Sequence, residues 1–156
     1  MNIVLFQPEI PQNTGNILRT CAAIGASLIL IRPIAFSIND RQMKRAGLDY
    51  FKTVPFHIFD SFDEFLEKEI KAKDANLFFF SSKAEKSYDV PVYKQNDYLI
   101  FGSETKGLDP KFNEKWPEAF FTIPMKKDCR CLNLANSVAI VAYEAWRQQS
   151  FSFSSP

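Results

Sequence analysis

The 156-residue chain holds one histidine, three cysteines and five glycines, and each scarcity removes a class of protein. Cys21, Cys129 and Cys131 are an odd number, and the opening Met1-Asn2-Ile3-Val4-Leu5-Phe6 shows no export signal, so a disulfide framework is not expected. The Cys129-x-Cys131 spacing is one residue short of the usual zinc pair, and His57 is the only histidine available as a ligand, so no metal is expected. His57 lies inside the apolar run Val54–Phe59 and reads as a core or edge residue ahead of a catalytic one. Gly-x-Gly-x-x-Gly, Walker A and Gly-x-Ser-x-Gly patterns are all missing, which disfavours ordinary dinucleotide, triphosphate and serine-hydrolase sites. No apolar run approaches the ~20 residues that cross a bilayer, and no internal repeat is evident; a cytoplasmic protein with no membrane partner is expected. A net charge of +1 neither selects nor excludes nucleic acid, so the placement of the 19 basic residues decides.

What is present is an ordinary globular balance, 46% hydrophobic and 24% charged. A chain of this length buries roughly 68–70% of its unfolded surface as one domain. Residues 1–149 are expected to form that domain, with serine-rich 150–156 fraying beyond it. Short apolar runs alternate with helical patterns. Strands are expected at Ile3–Phe6, Ser27–Ile31, Val54–Phe59, Leu77–Phe80, Tyr98–Phe101 and Phe120–Ile123. Helices are expected over about 14–24, from Asn39-Asp40 to about Leu48, after the capping box Ser61-x-x-Glu64, and over about 132–148. This alternation predicts an α/β fold with a mostly parallel sheet flanked by helices, in which ligands sit at the carboxyl ends of strands.

Three polar segments stand where such ligands bind. The first is Pro11-Gln12-Asn13-Thr14-Gly15-Asn16-Ile17-Leu18-Arg19, in which Asn13 or Thr14 can cap the following helix. Arg19 is placed near the N-terminal end of that helix, where cations are disfavoured, and so points to an anion or RNA contact. The second, Phe101-Gly102-Ser103-Glu104-Thr105-Lys106-Gly107-Leu108, reads as a tight loop whose backbone meets a flat ligand, or as an ordinary turn. The third runs from Ile123 to Ser137 and sets Asn133 and Asn136 on one face of a first helical turn, with Lys126, Lys127 and Arg130 before it. Arg41, Lys44 and Arg45 share one helical face, either a solvated surface or a phosphate-contacting stripe.

Taken together, Pro11-x-Asn13-x-Gly15-Asn16-x-x-Arg19, Arg45-Ala46-Gly47-Leu48-Asp49-Tyr50, Phe101-Gly102-x-Glu104-x-Lys106-Gly107-Leu108 and Ile123-Pro124-Met125 resemble the motifs of SPOUT-class RNA methyltransferases. The resemblance spans nearly the whole chain and is nearest to the short tRNA (cytidine/uridine-34-2′-O)-methyltransferases. It implies a C-terminal trefoil knot, a homodimer, and S-adenosylmethionine (SAM) as cofactor in a pocket of Phe80, Gly102, Glu104, Ile123, Met125 and Cys131. It also implies catalytic roles for Arg19, Asn133 and Asn136, and tRNA contacts from Asn13, Asn16, Arg41, Lys44, Arg45 and Arg130. The chain has no room for an added RNA-binding domain, so two subunits are expected to cradle the tRNA. Cys131 and Ala135 stand where the family commonly has serine; a thiol keeps the size but hydrogen-bonds more weakly. Since a guanidinium is a poor base at neutral pH, the expected role of Arg19 is to position a phosphate and stabilise a developing alkoxide. The rival readings are the same chemistry on another tRNA or rRNA site, a non-catalytic RNA-binding dimer, and a general nucleotide-binding module.

Overall fold

The structure, a computed structural model, describes residues 1–38, 50–71 and 74–152. β1 (Asn2–Phe6), α1 (Pro11–Ile24) and β2 (Ser27–Ile31) come first, then a 3-10 turn at Tyr50–Lys52 and β3 (Phe56–Phe59). α2 starts as a helical turn at Phe62–Phe65 and widens into a π turn at Leu66–Ile70. β4 (Leu77–Phe80), the short β5 (Lys86–Ser87) and β6 (Tyr98–Phe101) follow. α3 (Pro110–Lys115), a 3-10 turn at Pro117–Ala119, β7 (Phe120–Thr122) and α4 (Leu134–Gln148) complete the order.

The strands form one seven-stranded sheet in the order β3-β2-β1-β6-β4-β7-β5, and all of the pairings are parallel. The register sets Ile3 beside Leu28 and Leu99, and Val4 beside Ile29 and Ile100. Because side chains alternate along a strand, Ile3, Leu5, Leu28, Leu30, Leu99 and Phe101 turn to one face. There they meet Ile17, Leu18 and Cys21 of α1 and Val138, Val141 and Ala142 of α4. The opposite face carries Val4, Phe6, Ile29, Phe79 and Ile100 under α2 and α3. An aromatic block fills that layer, with Phe62 4.4 Å from Phe112 and Phe79 stacked 5.0 Å from Phe120. Both faces are covered, which is why these strands read as unbroken apolar runs.

Local chemistry explains where elements begin and end. The third strand starts at Phe56 rather than Val54, because the Val54 amide donates to Tyr50 O in the 3-10 turn and Pro55 has no amide to pair. α1 starts at Pro11, earlier than expected: proline is pre-set for a first helical position, and the Asn13 and Thr14 amides donate to Ile10 O. Asn13 and Thr14 are therefore inside the helix and are not its caps. Ser61 caps α2, its Oγ accepting from Glu64 N at 3.1 Å, while Glu64 Oε2 accepts from Asp60 N at 2.7 Å. The exposed Lys68 ammonium beside Glu64 adds to these amide bonds in holding that carboxyl below its ordinary range. Asp109 caps α3 by accepting from Lys111 N at 3.0 Å, an Asp-Pro start that the apolar pattern alone does not register. β5 carries no apolar run, so it too is absent from the sequence expectation. The Asn39–Leu48 helix lies outside the described residues, as do Arg41, Lys44 and Arg45. Residues 150–152, expected to fray, turn back on α4: Trp146 Nε1 donates to Ser152 O at 2.9 Å and Phe151 packs edge-on against Trp146. No helix among the described residues is long and apolar enough to cross a membrane.

Phe79 is wholly buried amid Phe62, Phe112, Trp116 and Phe120. Phe79→Ala is expected to cost about 3–5 kcal/mol, read as a lower urea midpoint at an unchanged slope.

Candidate active site

Parallel strands aim their carboxyl ends at one edge of the sheet. Here that edge gathers the loops after β1, β4, β6 and β7 around a cleft of about 450 Å³. Its lining includes Phe80, Phe101, Ile123, Met125, Leu132 and Leu134, together with residues 102–108 of the loop after β6. Phe80 and Phe101 stack at 4.9 Å, 20° from parallel, so one wall is a flat aromatic surface continuous with the core.

The loop after β6 closes on itself. Ser103 N donates to Gly107 O at 3.2 Å and Gly107 N to Ser103 O at 3.0 Å. Gly107 takes φ +72°, the left-handed region that glycine enters without strain. A Cβ on Gly102 would lie 2.1 Å from the Gly107 carbonyl carbon and 2.3 Å from Leu108 N. A glycine at 102 is thus required by the chain's own backbone.

Glu104 is the junction of the site. One oxygen accepts from Glu9 N at 2.8 Å; the other accepts from Ile10 N at 3.2 Å and from Asn13 Nδ2 at 2.9 Å. It fixes the two backbone amides that lead into α1 and the Asn13 side chain in its first turn, so the entry to the helix is tied to the β6 loop. Glu9 returns the contact, its carboxylate accepting from Thr105 N at 3.1 Å and Thr105 Oγ1 at 2.7 Å. Asn13 then accepts from Asn133 Nδ2 at 2.9 Å, and Asn133 Oδ1 caps α4 by accepting from Ala135 N at 2.9 Å. Ser137 Oγ donates to Asn133 O at 3.2 Å. One polar chain therefore joins the first turns of α1 and α4 to the β6 loop.

The structure sorts the expected site residues. Phe80, Gly102, Glu104, Ile123, Met125, Cys131, Asn13 and Asn133 all line the cleft. Glu104 spends its oxygens on protein donors, so it enters the cleft as a brace. Arg19, Asn16, Arg130 and Asn136 are exposed and lie outside the lining. Because α1 begins at Pro11, Arg19 is a mid-helix residue, and the argument that placed it at a helix N-terminus is corrected. It makes no ion pair among the described residues, on the exposed stripe of α1 that includes Asn16. His57 is on edge strand β3 and exposed. The sequence reading missed Ser81, Ser82 and Thr122, which line the cleft just past β4 and at the end of β7. The strand-end rule contained that signal. Cys131 Sγ donates to Ser82 Oγ at 3.3 Å, bringing the loop after β7 against the loop after β4.

A parallel sheet with this cleft at its carboxyl edge is the frame of the SpoU methylases. Residues 1–143 match the SpoU rRNA Methylase family, and the chain belongs to that family. A tRNA (cytidine(34)-2'-O)-methyltransferase from Yersinia pestis is 42% identical over 154 residues, covering 97% of this chain and 95% of that one. A solved structure addressing 2-OH methylation of C/U34 on tRNA superposes with a TM-score of 0.89 at 44% identity, covering 96% of this chain and 95% of that chain. The SpoU methyltransferase AviRb of Streptomyces viridochromogenes, solved with the cofactor AdoMet, shares the fold at 24% identity, with a TM-score of 0.86 over 96% of this chain and 58% of that one.

Two measurements follow from the loop geometry and from the thiols. Gly102→Ala forces backbone against Cβ and is expected to destabilise the chain by about 1–3 kcal/mol or more, seen as a lower melting temperature. Burial pushes the Cys21 thiol up to about 12, whereas Cys129 and Cys131 are exposed. A raised thiol value depletes the reactive thiolate. At mildly alkaline pH a chromogenic aromatic disulfide is therefore expected to titrate Cys129 and Cys131 in the folded protein, and Cys21 only after denaturation.

Proposed function

We propose that this chain transfers a methyl group from SAM to the ribose 2′-hydroxyl of the wobble nucleotide, position 34, of tRNA. The observation that carries the reading is the 42% identity, over nearly the whole of both chains, with an enzyme named for that reaction. A cleft of about 450 Å³ lined by aromatic and apolar side chains and by the glycine-bracketed 102–108 loop suits an adenosine-sized ligand. Phe80, Ile123 and Met125 would hold its flat, apolar part, and the 102–108 backbone its polar edge. When bound, the cofactor supplies an electrophilic methyl on a sulfonium.

The protein's own contribution is placement. Holding a 2′-hydroxyl in line with the methyl removes the entropic part of the barrier, and a cation near the oxygen favours its loss of a proton. Arg19 is assigned that cation's role, together with grip on the adjoining phosphate. Asn133 and Asn136, at the start of α4, are assigned to orient the ribose. Asn13, Asn16, Arg41, Lys44, Arg45 and Arg130 are assigned to the RNA.

Arg19 lies off its own chain's cleft, which favours a homodimer whose copies complete one another's sites. Asn136, Ile140 and Tyr143 form an i, i+4, i+7 stripe on α4 with Ile140 and Tyr143 exposed, a face suited to a second copy. A C-terminal trefoil knot is part of this reading; it is compatible with the strand order, in which β7, later in the chain, lies between the earlier β4 and β5. The reading includes residues 1–149 as one domain acting in the cytoplasm, without a metal.

The direct test is transfer of labelled methyl from SAM to bulk tRNA lacking its own modification, with the product nucleoside mapped by mass spectrometry. A 2′-O-methylated pyrimidine at the wobble position is expected. Label at another tRNA or rRNA position would retain the chemistry and move the target; absence of label despite SAM binding would leave a non-catalytic RNA binder. Arg19→Lys is expected to lose most turnover while SAM binding is unchanged, and near wild-type turnover in that variant would refute the assigned role.

A further inference from the structure

A second cleft, of about 540 Å³, opens at the carboxyl ends of β1, β2 and β3. It adjoins the first along the chain: Gln7 lines one and Ile10 the other, and Asp109 lines one and Leu108 the other. Three residues of chain span at most about 10 Å, so the two clefts are immediate neighbours. Between Gln7 and Ile10 lies Glu9, which is held by its bonds to Glu104 and Thr105.

The floor of this cleft is aromatic, built from Phe6, Phe62, Phe112 and Trp116. The exposed Lys115 ammonium lies 4.5 Å over the Trp116 ring, a position that a planar group can take while the flexible lysine swings aside. The rim is charge-balanced. Arg32 pairs with Asp60 at 3.1 Å, and Asp109 is engaged as the cap of α3. Asp63 is exposed at the rim, and neither its carboxylate nor the Gln7 side-chain amide has a hydrogen-bond partner among the described residues. Gln7 is also held at φ +53°, a conformation rare outside glycine, by its amide bond to Ile31 O at 3.0 Å. An aromatic floor, balanced charge and unpaired amide and carboxylate groups match a neutral planar base with polar edges better than a phosphate.

We infer that this cleft receives an unpaired nucleobase of the same RNA strand, one flanking the nucleotide whose ribose is presented at the mouth of the first cleft. This rests on the RNA-methylation reading. The base stacks on the Trp116 side of the aromatic floor, and Lys111 or Lys115 meets its phosphate. Asp63 accepts from an exocyclic amine and Gln7 meets the neighbouring edge, which favours adenine or cytosine over uracil.

Trp116 is one of two tryptophans, so a Trp146→Phe chain reports on it alone. Titration with single-stranded penta-adenylate is expected to quench its fluorescence, and pentauridylate to do so about tenfold more weakly. Should Trp146→Phe fold poorly, the wild-type signal minus that of Trp116→Phe gives the same reading. Asp63→Ala should erase the preference for adenine. Asp63→Ala/Lys111→Ala should raise the KM for tRNA about tenfold, with kcat and the SAM Kd retained. No Trp116 response to either oligomer, or an unchanged KM in the double variant of an active enzyme, would overturn the inference. If the wild-type chain methylates no tRNA while Trp116 responds with the expected preference, the cleft stands and the substrate reading falls.

Discussion

The carboxylate of Glu104 is the contact on which the site depends. It reaches back 95 residues along the chain to the amide of Glu9, and from there the start of α1 is secured. Glu9 and Ile10 lead into α1 without a strand or helix partner for their amides, and a part-buried amide left unpaired costs about 1–3 kcal/mol. Glu104 accepts from both amides and from the Asn13 side chain, so the β1 and β6 loops become one unit. Asn13 extends the unit to Asn133, 120 residues further on, and so to α4. The cleft wall is therefore only as well formed as these polar bonds.

The two faces of the sheet divide the labour. The α1 and α4 face is largely aliphatic and sets two helix starts beside the first cleft. The α2 and α3 face is aromatic, and its rings reach the carboxyl edge to form the floor of the second cleft. Alternation along β1 links the two: Leu5 belongs to the first layer and Phe6 to the second, while Gln7 turns away in the left-handed region. The same strand thus delivers chain to both clefts.

Much of this was legible beforehand where the information is local. Leu77–Phe80 and Tyr98–Phe101 were readable as buried strands because a doubly covered strand has nothing but apolar neighbours. Ser61 and Glu64 announced the start of α2 through a bond that spans a few residues. The motif residues of the cleft were readable through their family resemblance. Asp109-Pro110 carried a helix-start signal that the periodicity search passed over, and Lys86–Ser87 carried no strand signal at all, since pairing with β7 alone makes it one.

By itself the sequence determined the alternation of strands and helices, the parallel class of the sheet and the loops that come to line the first cleft. All of these depend on side-chain periodicity and short-range hydrogen bonds. Only the tertiary structure decided what individual residues do within those loops. Glu104 is a brace, Gly102 makes room for the chain's own backbone, and Arg19 stands mid-helix away from its own cleft. Each of those facts depends on which crossover sets one loop against another, and a spacing along the chain does not encode a meeting between residues about a hundred positions apart.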